Sequence, residues 1–174
     1  PGYGGSCFPK DVKAFASTAK KFNVDFSIVN AVHQSNQIRI KNIGDKIISK
    51  IDKNSVLSFL GLSFKPNTDD IRESTSIKLA NYLLDNGYTI NCFDPAAMKN
   101  AKKEFNKFNY YNSAYETCNN ADAIIIGTEW NEFRALNFSE ISKLVKIKKI
   151  FDLRNIYNGK ELEKLGFEYY GTGK

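Results

Sequence analysis

The sequence predicts an α/β fold in which a long helical segment leads into a mainly parallel sheet flanked by helices. Two observations carry this. Between residues 26 and 51, apolar side chains recur at three- and four-residue intervals, the spacing of one helix face. From Ser55 onward, short apolar runs alternate with stretches of helical periodicity, and such alternation argues for parallel strands joined by crossover helices. The division is expected at residues 1–52, helical, and 53–174, sheet-bearing.

In order along the chain, Asp11 is placed to cap a helix that runs to about Phe22, with Val12, Phe15, Ala16 and Ala19 on one face. Asn23-Val24-Asp25 interrupts it. The next helix is expected from about Phe26 to Ile51, striped by Val29, Val32, Ile40, Ile43, Ile47 and Ile51, with polar Asn36 falling in the stripe. Gly44 inside it costs about 1 kcal/mol relative to alanine. At 1.5 Å per residue the helix is roughly 39 Å long, more than a small domain needs, so it reads as a spine joining two domains or pairing two subunits.

Val56–Gly61 is a short apolar run of the kind that forms a buried parallel strand. A loop, 62–75, leads to a helix near Ser76–Asn86, with Ile77, Leu79, Ala80, Leu83 and Leu84 inward and Gly87 as its stop. Strands follow at Thr89–Phe93, weakly around Phe108–Tyr111, and at Ala123–Ile126, Lys149–Asp152 and Phe167–Tyr170. Helices are expected between them, near Ala97–Glu104, Ala114–Asn119, Ser139–Val145 and Gly159–Leu165.

Composition narrows the classes. With 174 residues, 42% hydrophobic and 25% charged, the chain can bury a real core. It has neither an apolar run long enough to span a bilayer nor a secretory signal. The net charge of +6 comes from scattered lysines, which suits a solvated exterior better than a nucleic-acid surface. Three cysteines, Cys7, Cys92 and Cys118, form no CxxC pair, so a disulfide or metal framework is not expected and a reducing cytoplasm is the natural home. The first residue, Pro1, stands inside what reads as a motif, and the expectation is a C-terminal portion of something longer.

That motif, Pro1-Gly2-Tyr3-Gly4-Gly5-Ser6-Cys7-Phe8-Pro9-Lys10-Asp11, concentrates the chemistry. Glycines let backbone approach a ligand, and a cation such as Lys10 lowers a thiol pKa toward the nucleophilic thiolate. In parallel sheets ligands bind beyond the carboxyl ends of the strands, and three loops there carry functional groups: 64–74, 128–130 and 152–155. Lys65, Arg72 and Arg154 either face a phosphorylated ligand or pair with Asp69, Asp70, Glu73 and Asp152. The sequence leaves both open. The run Gly2 to Cys7 mimics GxGxxG, but it follows no strand, and the turn after the first strand offers only Gly61. The dinucleotide fingerprint is therefore absent. His33, the single histidine, reads as a packing or solvent residue rather than a partner of Cys7. Cys92 and Cys118 read as small buried residues, and Tyr3 and Trp130 as core or rim aromatics.

Two stretches together carry a resemblance. Gly4-Gly5-Ser6-Cys7-Phe8-Pro9-Lys10-Asp11 resembles the catalytic cysteine loop of the UDP-glucose/GDP-mannose dehydrogenase family, and Gly61 to Ser74 (GLSFKPNTDDIRES) resembles that family's UDP-binding signature. Phe93-Asp94-Pro95, Thr128-Glu129-Trp130 and Asp152-Leu153-Arg154-Asn155 fit in the expected order, so the resemblance covers the whole chain. Phe8-Pro9-Lys10-Asp11 with Lys65-Pro66-Asn67-Thr68 favours the branch acting on UDP-glucose, with UDP-N-acetylmannosamine and GDP-mannose branches as near relatives.

The resemblance implies a four-electron oxidation of a sugar C6 alcohol to a carboxylate with two NAD+ in succession. Cys7 would attack the intermediate aldehyde to give a thiohemiacetal, and oxidation would yield a thioester that water hydrolyses. It further implies that Asp11 assists water activation, that Lys10 and Arg72 contact the cofactor, and that Gly4, Lys65 and Arg154 hold the UDP-sugar. The long helix matches the family's dimerisation helix, implying a homodimer. The Rossmann-like NAD-binding domain of the family, with its GxGxxG, is missing from these residues, so the 174-residue chain is expected not to turn over UDP-glucose unaided. A non-catalytic nucleotide-sugar-binding or dimerisation module is the alternative.

Overall fold

The computed structural model describes residues 1–173. Two helices lead, α1 (Phe8–Lys21) and α2 (Ser27–Ile48). Then come β1 (Val56–Leu60), α3 (Thr75–Asp85), β2 (Thr89–Phe93), α4 (Met98–Glu104), β3 (Asn109–Tyr110) and α5 (Ala114–Cys118). The chain continues through β4 (Ala123–Ile126), α6 (Asn131–Arg134), α7 (Phe138–Leu144), β5 (Lys149–Asp152), α8 (Gly159–Lys164) and β6 (Glu168–Gly171). The sheet order is β3-β2-β1-β4-β5-β6, and every neighbouring pair is parallel. This is the strand order of the doubly wound dinucleotide fold.

Alternation along the strands divides the core between two faces. Ile125 of β4 joins Phe59, Leu79, Leu83 and Phe151 beneath α2 and α3. Its neighbours Ile124 and Ile126 join Phe133, Ile141, Ile150 and Leu162 on the opposite face. Gly44, an expected weak point of α2, is buried, and a Cβ there would lie 2.3 Å from Cδ1 of Tyr82. The glycine thus lets α2 lie flat on the ring, and the Tyr82 hydroxyl donates to Asp45 Oδ1 at 2.5 Å across the same contact.

Three expectations change. α1 begins at Phe8 with Cys7 as its N-cap and no side-chain capping bond, so Asp11 does not cap it. Pro9, with its fixed φ and missing N–H, suits the first turn and starts the helix early. α2 ends at Ile48, and Ile51, although buried, lies beyond it. Phe15 and Val32, members of the expected apolar faces, are 62% and 45% exposed. Every exposed large apolar side chain among the described residues (Phe8, Phe15, Phe22, Val24, Ile28, Val32 and Ile38) lies on α1, on α2 or between them. α2 reaches the core only from Ile40 on, so the residues before it lack a sheet beneath them. The short helix α6, four residues with Phe133 buried, was too brief for periodicity to reveal.

Candidate functional site

The exposed thiol of Cys7 sits at the start of α1, with Ser6 Oγ 3.7 Å from its sulfur. The loop before it is stitched down on two sides. Gly5 N donates to the Arg72 carbonyl at 3.1 Å. Tyr3 N donates to Asn36 Oδ1 at 2.9 Å, and Asn36 Nδ2 donates back to Tyr3 O at 3.0 Å. A Cβ on Gly4 would lie 2.4 Å from the Glu73 carbonyl, and one on Gly5, whose φ is +86°, would meet the Phe64 ring at 2.7 Å. These glycines let the loop pack closely on Glu73 and Phe64.

Lys10 stands in the first turn of α1. Its Nζ lies 3.6 Å from Asp11 Oδ1, and both side chains are mostly exposed, a pair of little energetic weight. Arg72 is the cation whose backbone meets the Cys7 loop, through its carbonyl on Gly5 N. Its guanidinium is held above its ordinary pKa chiefly by hydrogen bonding to Asp70, with a smaller contribution from the Cys7 charge. Arg72 Nε donates to Asp70 Oδ1 at 2.9 Å and Nη2 to Oδ2 at 2.7 Å, and this bonding holds the Asp70 carboxyl below its usual range. No local sequence signal could have paired Cys7 with a residue on another loop.

The two readings of the basic residues divide. Arg72 pairs with Asp70, as the ion-pair reading expects. Arg154, with its side chain 17% exposed, lies 3.1 Å from Glu129 Oε2 and donates from Nε to the Gly127 carbonyl at 2.7 Å. Burial lowers its pKa and Glu129 opposes that. Asp152 is not its side-chain partner; that carboxylate is buried and accepts from Arg154 N, Tyr157 N and the Tyr169 hydroxyl. Lys65 lies over the Phe64 ring, Nζ 5.5 Å from the centroid, exposed and without an ion pair among the described residues.

The strand-end loops converge on Asp94, 1% exposed. Its Oδ2 accepts from Leu62 N, Ser63 N, Ser63 Oγ and Trp130 Nε1, and its Oδ1 from Ala96 N and Ala97 N. This one carboxylate joins the loops after β1, β2 and β4, and so sets the base of the Lys65 loop. Thr128 Oγ1 adds a bond to Ser63 O at 2.6 Å, and Ser76 Oγ one to Gly127 O at 2.8 Å. Gly61, φ +95°, has space for no Cβ, because Thr128 N would stand 2.6 Å from it.

The remaining candidates take structural places. Trp130 is half-buried over Ser63 and Asp94, and Tyr3 packs edge-on against Phe8. Burial pushes the Cys92 thiol up to about 12 and the Cys118 thiol up to about 11. His33 is half-buried with Nδ1 unpartnered, and no hydrogen bond joins it to Cys7 among the described residues. At the start of α3, Ser74 Oγ donates to Leu62 O at 2.6 Å and accepts from Ile77 N. The helix end that would meet a pyrophosphate in a dinucleotide fold is therefore already engaged. The residues expected to meet the cofactor, Lys10 and Arg72, each lie beside a carboxylate, Asp11 and Asp70.

Comparison with known proteins agrees with this layout. Residues 58–159 match the UDP binding domain of the UDP-glucose/GDP-mannose dehydrogenase family, and residues 1–38 match its central domain. A UDP-glucose 6-dehydrogenase of Rickettsia bellii is 44% identical over 178 residues, covering 99% of this chain and 41% of the relative. Among solved structures, a UDP-glucose dehydrogenase from Pyrobaculum islandicum superposes with a TM-score of 0.84 at 28% identity, over 98% of this chain and 37% of its own. A GDP-mannose dehydrogenase from Pseudomonas aeruginosa gives 0.78 at 26%, over 98% and 39%. The chain thus spans about two-fifths of the length of the relatives it matches.

Proposed function

Because this chain belongs to the UDP-glucose/GDP-mannose dehydrogenase family, we propose that it supplies the nucleophile and the UDP-sugar-binding domain of an NAD-dependent dehydrogenase. The proposed substrate is UDP-glucose, oxidised at C6 to the carboxylate. Residues 1–52 would carry the nucleophile and pair two subunits through α2, and residues 53–174 would hold the nucleotide sugar. One observation carries the reading: the Gly5 amide bonded to the Arg72 carbonyl sets Cys7 against the loop that bears Lys65.

Each residue takes a role its setting supports. Lys65, exposed and without an ion pair among the described residues, and Arg154, bonded to the Gly127 carbonyl beside Glu129, suit the two phosphates of UDP. Gly4 brings backbone beside them. The Cys7 thiolate would bond to the C6 aldehyde carbon and hold it until the carboxylate forms, since sulfur both attacks and leaves readily. Asp11, one turn along α1 with its amide on the Cys7 carbonyl, is suited to handling water at that carbon. Lys10 and Arg72 would contact NAD phosphates. NAD, when bound, supplies the hydride acceptor.

The test is thermal unfolding with UDP, UDP-glucose, UDP-N-acetylmannosamine and GDP-mannose at equal concentration. A ligand at a hundred times its Kd stabilises by about 2.7 kcal/mol, a rise of about 5–10 °C for a chain of this size. UDP-glucose is expected to give the largest rise, with no NADH formed by the 174 residues unaided. A larger response to GDP-mannose would overturn the substrate. The non-catalytic module is favoured by the engaged N-terminus of α3; Lys65→Ala that weakens UDP-glucose binding without any role for Cys7 would support it.

A further inference from the structure

We propose that Asn36 is a positioning residue for Cys7, its carboxamide bracketing the Tyr3 peptide and fixing the nucleophile's loop to α2. This rests on Cys7 being the nucleophile of the proposed reaction. Asn36 interrupts an apolar stripe, and asparagine is a poor helix former, so α2 itself gives no reason for it. Its partner gives one. Oδ1 accepts from Tyr3 N and Nδ2 donates to Tyr3 O, at 2.9 and 3.0 Å. Two opposed bonds to one residue fix both the place and the orientation of that backbone.

Few side chains can do this. An ionised aspartate accepts but cannot donate, a hydroxyl cannot span both groups, and glutamine is one methylene longer. The approach also needs the glycine before Tyr3: at Gly2, with φ +125°, a Cβ would fall 2.6 Å from Asn36 Oδ1. On its far side the loop is held by Gly5 N on the Arg72 carbonyl. Tyr3 to Gly5 is therefore pinned to two elements, α2 and the β1–α3 loop. Cys7 follows at once, exposed, with Ser6 Oγ 3.7 Å from its sulfur. The sulfur's position comes from the backbone. α2 is in turn seated on α3 through Gly44, Asp45 and Tyr82, so Asn36 passes the position of the sheet domain to the thiol.

The experiment uses the full chain with Asn36→Ala, Asn36→Asp and Gly2→Ala. It reads amide exchange at Tyr3 and the rate of Cys7 alkylation by iodoacetamide, with and without saturating UDP-glucose. Losing both bonds should speed Tyr3 exchange about tenfold or more in Asn36→Ala, with β4 amides unchanged as evidence of folding. UDP-glucose should protect Cys7 several-fold less in that variant, while the Kd for UDP alone changes less than about twofold. Asn36→Asp, which keeps one bond, should fall between. Gly2→Ala should reproduce the loss with Asn36 intact. Unchanged Tyr3 exchange, or unchanged protection of Cys7 in Asn36→Ala, overturns the proposal. If UDP-glucose protects Cys7 in no chain, the substrate reading fails, and Tyr3 exchange alone upholds or overturns the clamp.

Discussion

Gly44→Ala tests whether α2 and α3 are seated as tightly as the geometry says. On an exposed helix this change stabilises by about 1 kcal/mol. Here the new methyl would lie 2.3 Å from Tyr82 Cδ1 and 2.5 Å from Cε1. Those atoms belong to the root of a rigid ring rather than a flexible tip, so the ring or the helix must shift. Overpacking costs about 1–3 kcal/mol, and moving the ring breaks the Tyr82–Asp45 hydrogen bond, roughly another 0.5–1.5. Set against the propensity gain, the net expectation is a loss of about 1–3 kcal/mol. Urea unfolding followed by the fluorescence of Trp130, the sole tryptophan, reads it. With a slope near 2 kcal/mol/M the midpoint should fall by about 0.5–1.5 M. In a Tyr82→Ala background the obstacle is gone, and the same substitution should become neutral or stabilising. If Gly44→Ala stabilises the parent chain, the close seating of α2 on α3 is wrong.

Three further outcomes follow from the geometry. Asp94→Ala strands six donors in a buried place; unfolding stability should drop by more than about 3 kcal/mol, and stabilisation by UDP should vanish with the Lys65 loop. Hydrogen bonding to Arg72 and to Lys78 holds the Asp70 and Glu73 carboxyls below their ordinary values. Since the unfolded chain then binds protons more readily, this stability is complete above the usual carboxylate range and is lost as pH falls through the lowered folded values. Urea midpoints should decline toward pH 3, and less steeply in Asp70→Asn, though the exposure of Arg72 keeps the difference small. Iodoacetamide at pH 8 should label Cys7 alone in the native chain, with Cys92 and Cys118 reacting only after denaturation, as peptide mass spectrometry can show; native labelling of Cys118 would contradict its burial.

What the sequence made legible tracks how local each signal is. β4 and β5 coincide with their apolar runs because a buried parallel strand needs little else. The sheet helices were placed within a residue or so by their periodicity, and Ser74 and Asn158 cap two of them. The start of α1 was misplaced because Asp11 looks like a cap, whereas Pro9 decides. Phe15 and Val32 fall in apolar stripes yet are exposed, because periodicity reports which residues share a face without saying what covers it. At the site, Cys7, Lys65, Arg72 and Arg154 could all be picked out. Their partners could not: Glu129 for Arg154, the Asn36 bracket on Tyr3 and the Arg72 carbonyl under Gly5 are contacts between distant segments. The same holds for the glycines, whose neighbours decide whether they face a ligand or protein.

The staple between the loops after β1 and β4 bears on how this domain can receive a nucleotide. In doubly wound sheets of this strand order, the crevice where the connections part company is the usual doorway for a dinucleotide. Here its two sides are drawn together: Thr128 stands against Gly61, Gly127 has the Gly61 carbonyl 2.5 Å from where a Cβ would be, and Ser76 and Arg154 both bond the Gly127 carbonyl. In the proposed reading a nucleotide would rest on the rim with Lys65 and Arg154 instead of reaching between these loops. Binding of that kind asks little of the sheet, and substrate choice falls to the loops and to whatever closes over them.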